Sequence, residues 1–536
     1  MLVRLERERF RRDRFAIWEG RILGGGEVSL LGEDLEPGPE GLIWVEGELA
    51  HHPRYGRRLL VRTSRPVSLE EMGTSFSGLP LKTALELLLE AGHTAPPLPL
   101  LQSASGLEGE AFFRALEALG EEVVVRRGRV GFAHLFRQEE ALLTTVQRLL
   151  AQPGLPLLPP SGHGLLEEQA GIFPLVGRSG LALLTGGPGT GKSYTVGRLL
   201  ASPSLANLSV GLAAPTGKAA RRLAEVAGKG AETVHRLLGV KEDGFRHGPS
   251  NPLPYRLLVV DEAGMLDLSL ALALFSAVGP SAGLLLVGDP HQLPPVGYGN
   301  PFADLVGRVP TLALRRVMRQ AAGNPILAAA RAFLEGEPPR EDPRDPRFRL
   351  RLVPERELGR EVLRLAQDAD VILTPTNRGE LGVVGLNRLL KARRNPSQEG
   401  VSVGLRLRVG VGDPVVFTQN DYALGVANGE LGRVLALEGE ELVVEAGGDL
   451  VRVPRDRWHY LLPAYAMTVH RSQGSEWPRV LVVLPSRAGG LLSRELVYTA
   501  LTRGKEEVIL LASPKALEEA RGRRAGGRFT WLQVLP

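Results

Sequence analysis

The sequence predicts an α/β protein with two parallel sheets, each buried by helices on both faces. From residue 165 onward, short apolar runs such as Leu181–Leu184 and Leu257–Val260 each end in a loop that carries Gly, Pro or Asp. This alternation of strand, loop and helix is typical of parallel sheets. A second set of runs begins at Ala369–Leu373 and returns at Arg479–Leu484 and Glu507–Leu511. We therefore expect two sheet-bearing lobes.

Smaller units are predicted ahead of these lobes. Residues 1–70 carry short alternating runs, among them Gly41–Glu48, that predict strands. They fit a five-stranded barrel of the oligonucleotide-binding type, although many small β folds would show the same pattern. Residues 71–155 predict a helix over Glu110–Leu119, a hairpin around Gly128 and a further helix. That order fits a winged helix, and equally a helical spacer.

Three Pro-rich segments predict the boundaries between units. Linkers are expected at His93–Ser103, Gln152–Gly164 and Glu335–Arg349. The stretch Val401–Tyr460 is rich in Val, Gly and turn residues, and we interpret it as a small β barrel inserted in the second lobe. The predicted lobes are then residues 156–335 and, divided by the insert 401–460, residues 336–400 with 461–536.

The composition is that of a globular protein and excludes several kinds of site. The chain has 536 residues, of which 43% are hydrophobic and 23% charged, enough for roughly three or four globular units. Cysteine is absent, which excludes disulfides, zinc–thiolate sites, iron–sulfur clusters and cysteine nucleophiles. The net charge of +5 is spread over a long chain and does not by itself indicate a nucleic-acid partner.

One uncharged stretch, Leu268–Gly288, has the length of a membrane span. A Gly-Pro pair interrupts it, so we interpret it as a buried helix over Leu268–Val278 and a strand over Gly283–Val287. The basic segment Met1–Arg14 lacks the apolar core of a signal peptide. We expect a cytoplasmic protein with no membrane partner.

The segment Gly186–Ser193 has the pattern of a phosphate-binding loop, G-x-x-x-x-G-K-[ST], directly after the strand Leu181–Leu184. Glycines let backbone N–H groups converge on the β- and γ-phosphates of a nucleotide. The Lys192 ammonium adds a point charge there, and the Ser193 hydroxyl can ligate Mg²⁺. The candidate nucleotide-binding residues are Gly187, Pro188, Gly189, Thr190, Gly191, Lys192 and Ser193. We therefore predict ATP as substrate and Mg²⁺ as cofactor.

An acidic pair, Asp261 and Glu262, follows the strand Leu257–Val260. In a protein with a phosphate-binding loop, a carboxylate at this position holds Mg²⁺ through water, and a second one polarises the attacking water. Asp261 and Glu262 are the candidates for these two roles. Such pairs are also common at helix starts, so the assignment depends on the buried strand and the upstream loop.

Further candidates follow other predicted strands. In Gly288–Val296, Gln292 could bond the γ-phosphate and report its loss, or the segment is a Pro-stiffened turn. Pro215–Lys218 places a Thr-Gly-Lys at a helix N-terminus, which suits a phosphate of a DNA strand. An arginine delivered across a cleft would stabilise the transferred charge. Arg319 and Arg503 are candidates, although Arg503 could equally be a surface arginine.

Taken together, these segments resemble those of superfamily-one DNA helicases. The narrower resemblance is to the RecD-like branch, the exodeoxyribonuclease V alpha-subunit type in its stand-alone form. It covers about residues 165–536 and extends more weakly into residues 1–70. The segments that narrow it are Gly288–Asn300, Thr374–Gly379 with Leu386–Asn387, Asn420–Tyr422 with Asn428–Gly432, and Thr468–Glu476.

The resemblance implies a helicase that uses ATP and Mg²⁺, moves 5′ to 3′ on single-stranded DNA and unwinds duplex at single-strand/duplex junctions during DNA repair and recombination. It implies two RecA-like lobes, an SH3-like insert and a hairpin near residues 240–254 that splits the duplex. A monomer associated with the nucleoid is expected, and protein partners are not indicated.

The resemblance also assigns residues. Gln169 would contact adenine, and Arg319 and Arg503 would reach the γ-phosphate with Gly474 and Glu476 nearby. The implied DNA-binding residues are Pro215, Thr216, Lys218, His235, Thr376, Asn377, Thr468 and His470. The catalytic residues would be Lys192, Asp261, Glu262, Gln292, Arg319 and Arg503.

Two rival functions stay open at this point. One is a translocase that hydrolyses ATP along DNA without unwinding it, and the other is a non-hydrolysing, ATP-gated subunit of a recombination complex. RNA is an alternative substrate. A nuclease has little support, because no carboxylate cluster outside the lobes has metal-ligand spacing.

Overall fold

A computed structural model describes most of the chain. The described residues are 2–12, 15–22, 26–33, 35, 42–52, 56–66, 81–162, 164–241, 244–318, 323–377, 379–396, 400–419, 421, 424–426, 428–525 and 527–535. Strands are numbered β1–β27 in chain order. Every helix in these ranges falls short, in length or in apolar character, of what a bilayer crossing requires.

The first five strands close into a barrel in the order β1-β2-β3-β5-β4. They are β1 (Leu2–Arg12), β2 (Phe15–Ile22), β3 (Gly26–Glu33), β4 (Leu42–His52) and β5 (Gly56–Pro66). Neighbouring strands are antiparallel except β3 and β5. Buried Trp18, Leu30, Ile43 and Leu59 fill the interior. The oligonucleotide-binding type of this barrel stays a prediction.

A small helical region follows the barrel. Its elements are the helices Leu81–Glu90, Leu98–Ser105, Gly109–Glu117 and Ala133–Ala151 and the hairpin β6 (Val123–Arg126) with β7 (Arg129–Phe132). The hairpin lies where the sequence predicts it. The predicted linker at His93–Ser103 is wrong, because the helix Leu98–Ser105 occupies much of it and buries Leu101. Prolines that suggest a break here stand before and inside the first helical turn, where they are compatible with a helix.

The first lobe is a six-stranded parallel sheet in the order β10-β9-β13-β14-β8-β15. Its strands are β8 (Leu181–Gly186), β9 (Val210–Ala214), β10 (Glu232–Thr233), β13 (Leu257–Val260), β14 (Gly283–Gly288) and β15 (Thr311–Leu314). A two-stranded hairpin, β11 (Val240–Lys241) and β12 (Gly244–Phe245), stands apart from the sheet. The helices are Glu167–Ala170, Ile172–Val176, Lys192–Leu200, Gly217–Ala227, Val234–Leu238, Leu268–Ala277 and Pro301–Leu305. The uncharged stretch is thus a helix and a strand, as predicted.

The second lobe is a five-stranded parallel sheet in the order β16-β27-β26-β17-β25. Its strands are β16 (Phe348–Leu352), β17 (Val371–Thr374), β25 (Ala466–Thr468), β26 (Trp477–Leu484) and β27 (Gly504–Ala512). Its helices are Pro325–Glu335, Leu358–Leu365, Val383–Arg394, Arg494–Leu501 and Pro514–Gly522.

The insert between β17 and β25 is antiparallel. A five-stranded sheet has the order β23-β22-β21-β20-β24, and β18 pairs with β19 beside it. The strands are β18 (Val401–Ser402), β19 (Arg408–Val409), β20 (Pro414–Phe417), β21 (Leu431–Glu438), β22 (Glu441–Ala446), β23 (Asp449–Pro454) and β24 (Leu461–Pro463). The SH3-like type stays a prediction.

The segment Gly527–Leu535 departs from the predicted domain division. It follows the last helix of the second lobe, yet it packs on the first lobe and the helical region. Trp531 is fully buried there, edge-on to Phe136 with ring centroids 5.1 Å apart. We call this stretch the return segment.

Candidate nucleotide site between the two lobes

The predicted phosphate-binding loop joins β8 to the helix Lys192–Leu200. Gly191 has φ +84°, and a Cβ atom there would lie 2.5 Å from Nε2 of Gln169. Only glycine fits this crowded left-handed position without strain. The Lys192 ammonium donates to the carbonyls of Gly186, at 2.6 Å, and Gly187, at 3.2 Å. The lysine is thus held at the mouth of the loop, with Ser193 in the first helical turn beside it.

The acidic pair lies at the carboxyl end of β13, on the same edge of the sheet. Asp261 N donates to Ala213 O at 2.9 Å, and Glu262 N donates to Asp261 Oδ1 at 2.8 Å. Burial raises the pKa of both carboxyl groups, and the Asp261 charge raises that of Glu262 further, while Lys192 and Arg222 act in the opposite direction. Glu262 adopts φ +51°, a costly backbone for a residue with a side chain. Such strain is common where a side chain must be aimed at a ligand.

Gln169 lies behind the loop and is almost fully buried. Its Oε1 accepts from Leu166 N at 3.1 Å, and its Nε2 donates to Thr190 O at 3.2 Å. Met318 N in turn donates to Gly189 O at 2.9 Å. The amide of Gln169 is therefore fixed against the loop. Gln292 lies part-buried beyond β14, with its N–H donating to Asp289 O at 3.3 Å.

Arg503 comes from the second lobe and is buried, with 4% of its surface exposed. Its guanidinium donates to Thr499 O at 3.0 Å, Ser475 O at 3.3 Å and Thr502 Oγ1 at 3.1 Å. Its charge acts to lower the pKa of Glu262 in the first lobe. The surface-arginine alternative is therefore wrong for Arg503, which is buried and lies within electrostatic reach of Glu262. Arg319 lies outside the described residues.

Glu476 bridges the lobes beside this arginine. Its carboxylate pairs with Arg222 Nη1 of the first lobe at 2.5 Å and with Lys505 at 3.3 Å. Burial opposes its ionisation, but Arg222, Arg503 and Lys505 prevail and lower the pKa of Glu476. Gly474 also reaches the first lobe, since a Cβ there would lie 2.8 Å from Thr216 Oγ1.

The candidate DNA-binding residues lie mostly at the carboxyl ends of strands. Thr216, after Pro215, caps the helix Gly217–Ala227 by accepting from Ala219 N at 3.3 Å. Thr468 ends β25 opposite Thr374, the last residue of β17, and Thr376 and Asn377 follow directly after that strand. The structure therefore brings the candidates of the second lobe to one sheet edge.

Lys218 and the two histidines have more enclosed surroundings. Lys218 Nζ lies 4.6 Å from the Trp477 ring centre and donates to Glu476 O at 3.4 Å, and burial lowers its pKa to about 8. Burial lowers the pKa of His470 to about 4 and also lowers that of His235. Both histidines are thus neutral at pH 7, so any DNA contact they make is by hydrogen bonding or stacking.

Comparisons with known sequences assign this chain to a family. The AAA domain model matches residues 164–345, and the UvrD-like helicase C-terminal domain model matches residues 463–511. RecBCD enzyme subunit RecD of Mycobacterium tuberculosis is 35% identical over 461 residues, covering 73% of this chain and 77% of that protein. The chain belongs to the RecD family of superfamily-one helicases. Its two parallel-sheet lobes fit the RecA-like motor of that family.

Other relatives of this RecD-family chain differ in length. The ATP-dependent RecD2 DNA helicase of Deinococcus radiodurans is 42% identical over 425 residues, covering 77% of this chain and 59% of that protein. The chain therefore spans less than two thirds of RecD2. A structure of Bacteroides Pif1 bound to ssDNA is 20% identical with a TM-score of 0.42, covering 65% of this chain and 92% of that one.

Sequence reasoning about this RecD-family chain missed the contacts that hold the lobes together. Tyr498 OH donates to Asp289 Oδ2 at 2.6 Å, both residues being buried. Leu293 N donates to Thr499 Oγ1 at 3.1 Å, and Leu293 O accepts from Gln473 Nε2 at 3.1 Å. Asp289, Leu293 and Gln473 stand inside segments quoted above, but their pairing across the lobes depends on how the lobes meet. Arg222 was missed because nothing local distinguishes it from the adjacent Arg221.

Proposed function

We propose that this chain is an ATP- and Mg²⁺-dependent DNA helicase that moves 5′ to 3′ along single-stranded DNA and unwinds duplex during repair and recombination. The observation that carries the proposal is Arg503, which is buried in the second lobe and donates to Ser475 O, beside the Glu476 carboxylate that pairs with Arg222 of the first lobe. A non-hydrolysing subunit has no need of such an arginine. The names of the relatives, RecD2 DNA helicase and RecD, support the same function.

The residues around the phosphate-binding loop fit ATP and Mg²⁺. The glycine backbone and Lys192 would hold the phosphates, Gln169 the adenine, and Gly474 and Glu476 the rest of the nucleotide. Ser193 and Asp261 supply the hard oxygen ligands that Mg²⁺ prefers, and the bound ion would neutralise phosphate charge.

Hydrolysis would be driven by groups of both lobes. The Glu262 carboxylate would accept a proton from the attacking water, and Gln292 would sense the γ-phosphate. Arg503, with Arg319 as a second candidate, would stabilise the charge that develops on the transferred phosphoryl group. Closure on ATP and opening after hydrolysis would then move the lobes along the strand.

The DNA strand would run across both lobes. Pro215, Thr216, Lys218 and His235 would contact it from the first lobe, and Thr376, Asn377, Thr468 and His470 from the second. The hairpin near 240–254 would part the duplex, at a cost of about 1.4 kcal/mol for each base step. We further propose a monomer that acts at the nucleoid in the cytoplasm, with an OB-like barrel and an SH3-like insert beside the strand.

The proposal is tested by unwinding of duplexes with either a 5′ or a 3′ single-stranded tail. We expect ATP-dependent displacement from 5′ tails only. Lys192→Ala should abolish both ATP hydrolysis and displacement. Displacement from 3′ tails alone would refute the polarity, and ATP turnover in Lys192→Ala would refute the site.

A further inference from the structure

The return segment is bound on several sides. Phe529 O accepts from Thr94 N and Ala95 N, both at 2.9 Å, in the helical region. Thr530 Oγ1 donates to Asp304 Oδ2 of the first lobe at 2.7 Å. Trp531 is fully buried in the same place. The segment is therefore anchored to the helical region and to the first lobe, although it continues from the second lobe.

The first side chain of this docked stretch, Arg528, grips a loop of the first lobe. Its Nη2 donates to Pro295 O at 2.5 Å, and its Nη1 donates to Gly299 O at 2.6 Å and to Gly297 O. Only 8% of Arg528 is exposed, and Gly92 packs so closely that a Cβ there would lie 2.3 Å from the guanidinium carbon. Three carbonyls on one charged group make a directional contact.

The gripped loop, Pro295–Gly299, continues the segment that contains Gln292. Its outward side chains are apolar and exposed, Val296 at 84% and Tyr298 at 40%. Its inner backbone is held by Arg528 and by Leu268 N, which donates to Tyr298 O at 2.9 Å. The Arg528 charge also lowers the pKa of His470. The guanidinium is thus near enough to His470, a candidate DNA-binding residue, for its charge to act there.

A short covalent link connects this grip to the second lobe. Ala525, three positions before Arg528, donates its N–H to Glu495 Oε2 at 2.5 Å. Glu495 stands in the helix Arg494–Leu501, and Arg503 follows that helix. Three residues span at most about 10 Å. A displacement of this helix from the first lobe that exceeds the slack in this link therefore pulls on Arg528.

We propose that Arg528 is a positioning residue that couples movement of the second lobe to the loop Pro295–Gly299. The inference rests on the proposed function and deepens it. Arg503 follows the helix Arg494–Leu501, and the link to Arg528 starts at the same helix. Movement of this helix would therefore bring Arg503 to the nucleotide and shift the loop Pro295–Gly299 at the same time. Arg528 touches neither nucleotide nor reacting atoms in this role.

The test compares wild type with Arg528→Met, which keeps the side-chain length and removes the donors. ATP hydrolysis without DNA should stay at the wild-type rate. The DNA concentration for half-maximal ATPase should rise, and base pairs unwound per ATP should fall, each on the order of ten-fold. Hydrogen exchange at the Gly297 and Gly299 amides should become faster. A loss of stability alone would move neither the half-saturating DNA concentration nor the yield per ATP.

Thr530→Val is the matched control. It removes a hydrogen bond of the same segment, while Gln533 Nε2 still donates to Asp304 Oδ1 at 2.9 Å. We expect wild-type coupling in this variant and intermediate coupling in Arg528→Lys. Wild-type coupling in Arg528→Met, or an equal loss in Thr530→Val, overturns the proposal.

Two further outcomes are distinguishable. If Arg528→Met does not fold, Arg528→Lys decides: partial loss with none in Thr530→Val supports the coupling, and no loss in either overturns it. If wild type neither hydrolyses ATP nor unwinds DNA, the proposed function fails. The exchange rates of the loop amides then still test whether Arg528 holds the loop.

Discussion

At the residue scale, Arg503 is a buried arginine of the second lobe whose charge acts on Glu262 of the first lobe. Its donors are occupied by carbonyl and hydroxyl oxygens, so the guanidinium is held in place without a carboxylate partner within bonding distance among the described residues. A preorganised charge of this kind stabilises a transition state without reorganising when the reaction occurs.

Arg503→Ala should therefore slow ATP turnover far more than it weakens ATP binding. We expect kcat to fall on the order of 10³-fold or more, with nucleotide affinity changed by less than about ten-fold. Steady-state kinetics with saturating DNA and a nucleotide-binding assay measure the two effects. Arg487→Ala, which removes an exposed arginine, is the control. An unchanged kcat in Arg503→Ala would contradict the assignment.

A second residue-scale feature is the buried carboxyl of Glu139. It accepts from Leu532 N at 2.7 Å and from the Thr94 hydroxyl, while Asp304 and Arg129 are the charged neighbours. Burial raises the pKa of Glu139 to about 7 from an ordinary 4.5. The folded protein thus holds a proton that the unfolded chain releases, and this contribution to stability is present below pH 4.5 and is lost as the pH rises through 7.

Glu139→Gln should remove that dependence. Between pH 4.5 and 8 the free energy of unfolding of wild type should fall, relative to the variant, on the order of 3 kcal/mol. Denaturant titrations of both proteins at pH 5 and pH 8 measure the difference. Parallel pH profiles for the two proteins would mean that Glu139 does not titrate in this range.

How far residues could be predicted depends on whether their chemistry is local. Lys192 stands in the phosphate-binding loop pattern, and Asp261 and Glu262 follow directly after a buried strand. These local patterns are enough to predict the roles of the three residues. Arg528 and Glu139 have no such pattern, because each is bonded to a backbone group more than 200 positions away in the chain. Only the fold brings these groups together.

At the element scale, the helix Gly217–Ala227 presents two adjacent arginines to two different bodies. Arg222 pairs with Glu476 of the second lobe, whereas Arg221 Nη2 pairs with Glu430 of the insert at 2.6 Å. The Arg221 guanidinium also lies on Gly447, in the turn between β22 and β23. One helix thus fixes the insert and the second lobe together.

Gly447→Ala should disturb this arrangement. The new Cβ would lie 1.1 Å from Nη1 of Arg221, so the guanidinium must move away from Glu430. Gly448→Ala is the control, since Gly448 also has a positive φ, of +91°, but no neighbour within 4 Å. Both substitutions carry a backbone cost of about 1–2 kcal/mol.

We expect Gly447→Ala to cost up to about 1 kcal/mol more than Gly448→Ala in free energy of unfolding. The excess should vanish when both are made in an Arg221→Ala background, as measured by a double-mutant cycle. A persistent excess would show that Arg221 is not the cause.

The hairpin of β11 and β12 is a second element with a separable role. Its residues 242 and 243 lie outside the described part of the chain, and Val240 is 44% exposed. Deletion of residues 241–251 should abolish strand displacement and leave DNA-stimulated ATPase in place, because the hairpin is not a part of the six-stranded sheet that carries the nucleotide site. Displacement and ATPase assays on the same preparation decide this. Unwinding at the wild-type rate would remove the hairpin from the mechanism.

Elements were predictable where apolar runs were long and bounded. β13 and the hairpin of β6 and β7 lie at their predicted positions. β25 has three residues, ending where the quoted segment Thr468–Glu476 begins, and is too short for a recognisable pattern. β16 begins at Phe348, within the predicted linker Glu335–Arg349. The sequence did not indicate a strand there, because the alternating arginines of β16 resemble a charged loop.

At the scale of the whole molecule, the lobes meet where the segment after β14 contacts the helix Arg494–Leu501 and Gln473 of the second lobe. The division into two sheets was predictable from the strand pattern, but the course of the return segment was not. Its neighbours in sequence belong to one lobe and its neighbours in space to the other.

The proposed DNA path predicts backbone-dominated binding. The logarithm of the association constant for single-stranded DNA should fall linearly with the logarithm of the salt concentration. Oligonucleotides of different base composition should bind within a factor of about ten of each other. Fluorescence anisotropy titrations over a salt series measure both. A salt-independent affinity would contradict a path along phosphates.

The buried position of Trp531 has a practical consequence. Indole emission shifts to longer wavelength when the ring enters water, and this ring is enclosed between the helical region and the first lobe. If the other four of the five tryptophans are replaced, the intrinsic fluorescence of the protein comes from Trp531. The emission wavelength would then report, during turnover and without an added dye, when the contact of the return segment loosens.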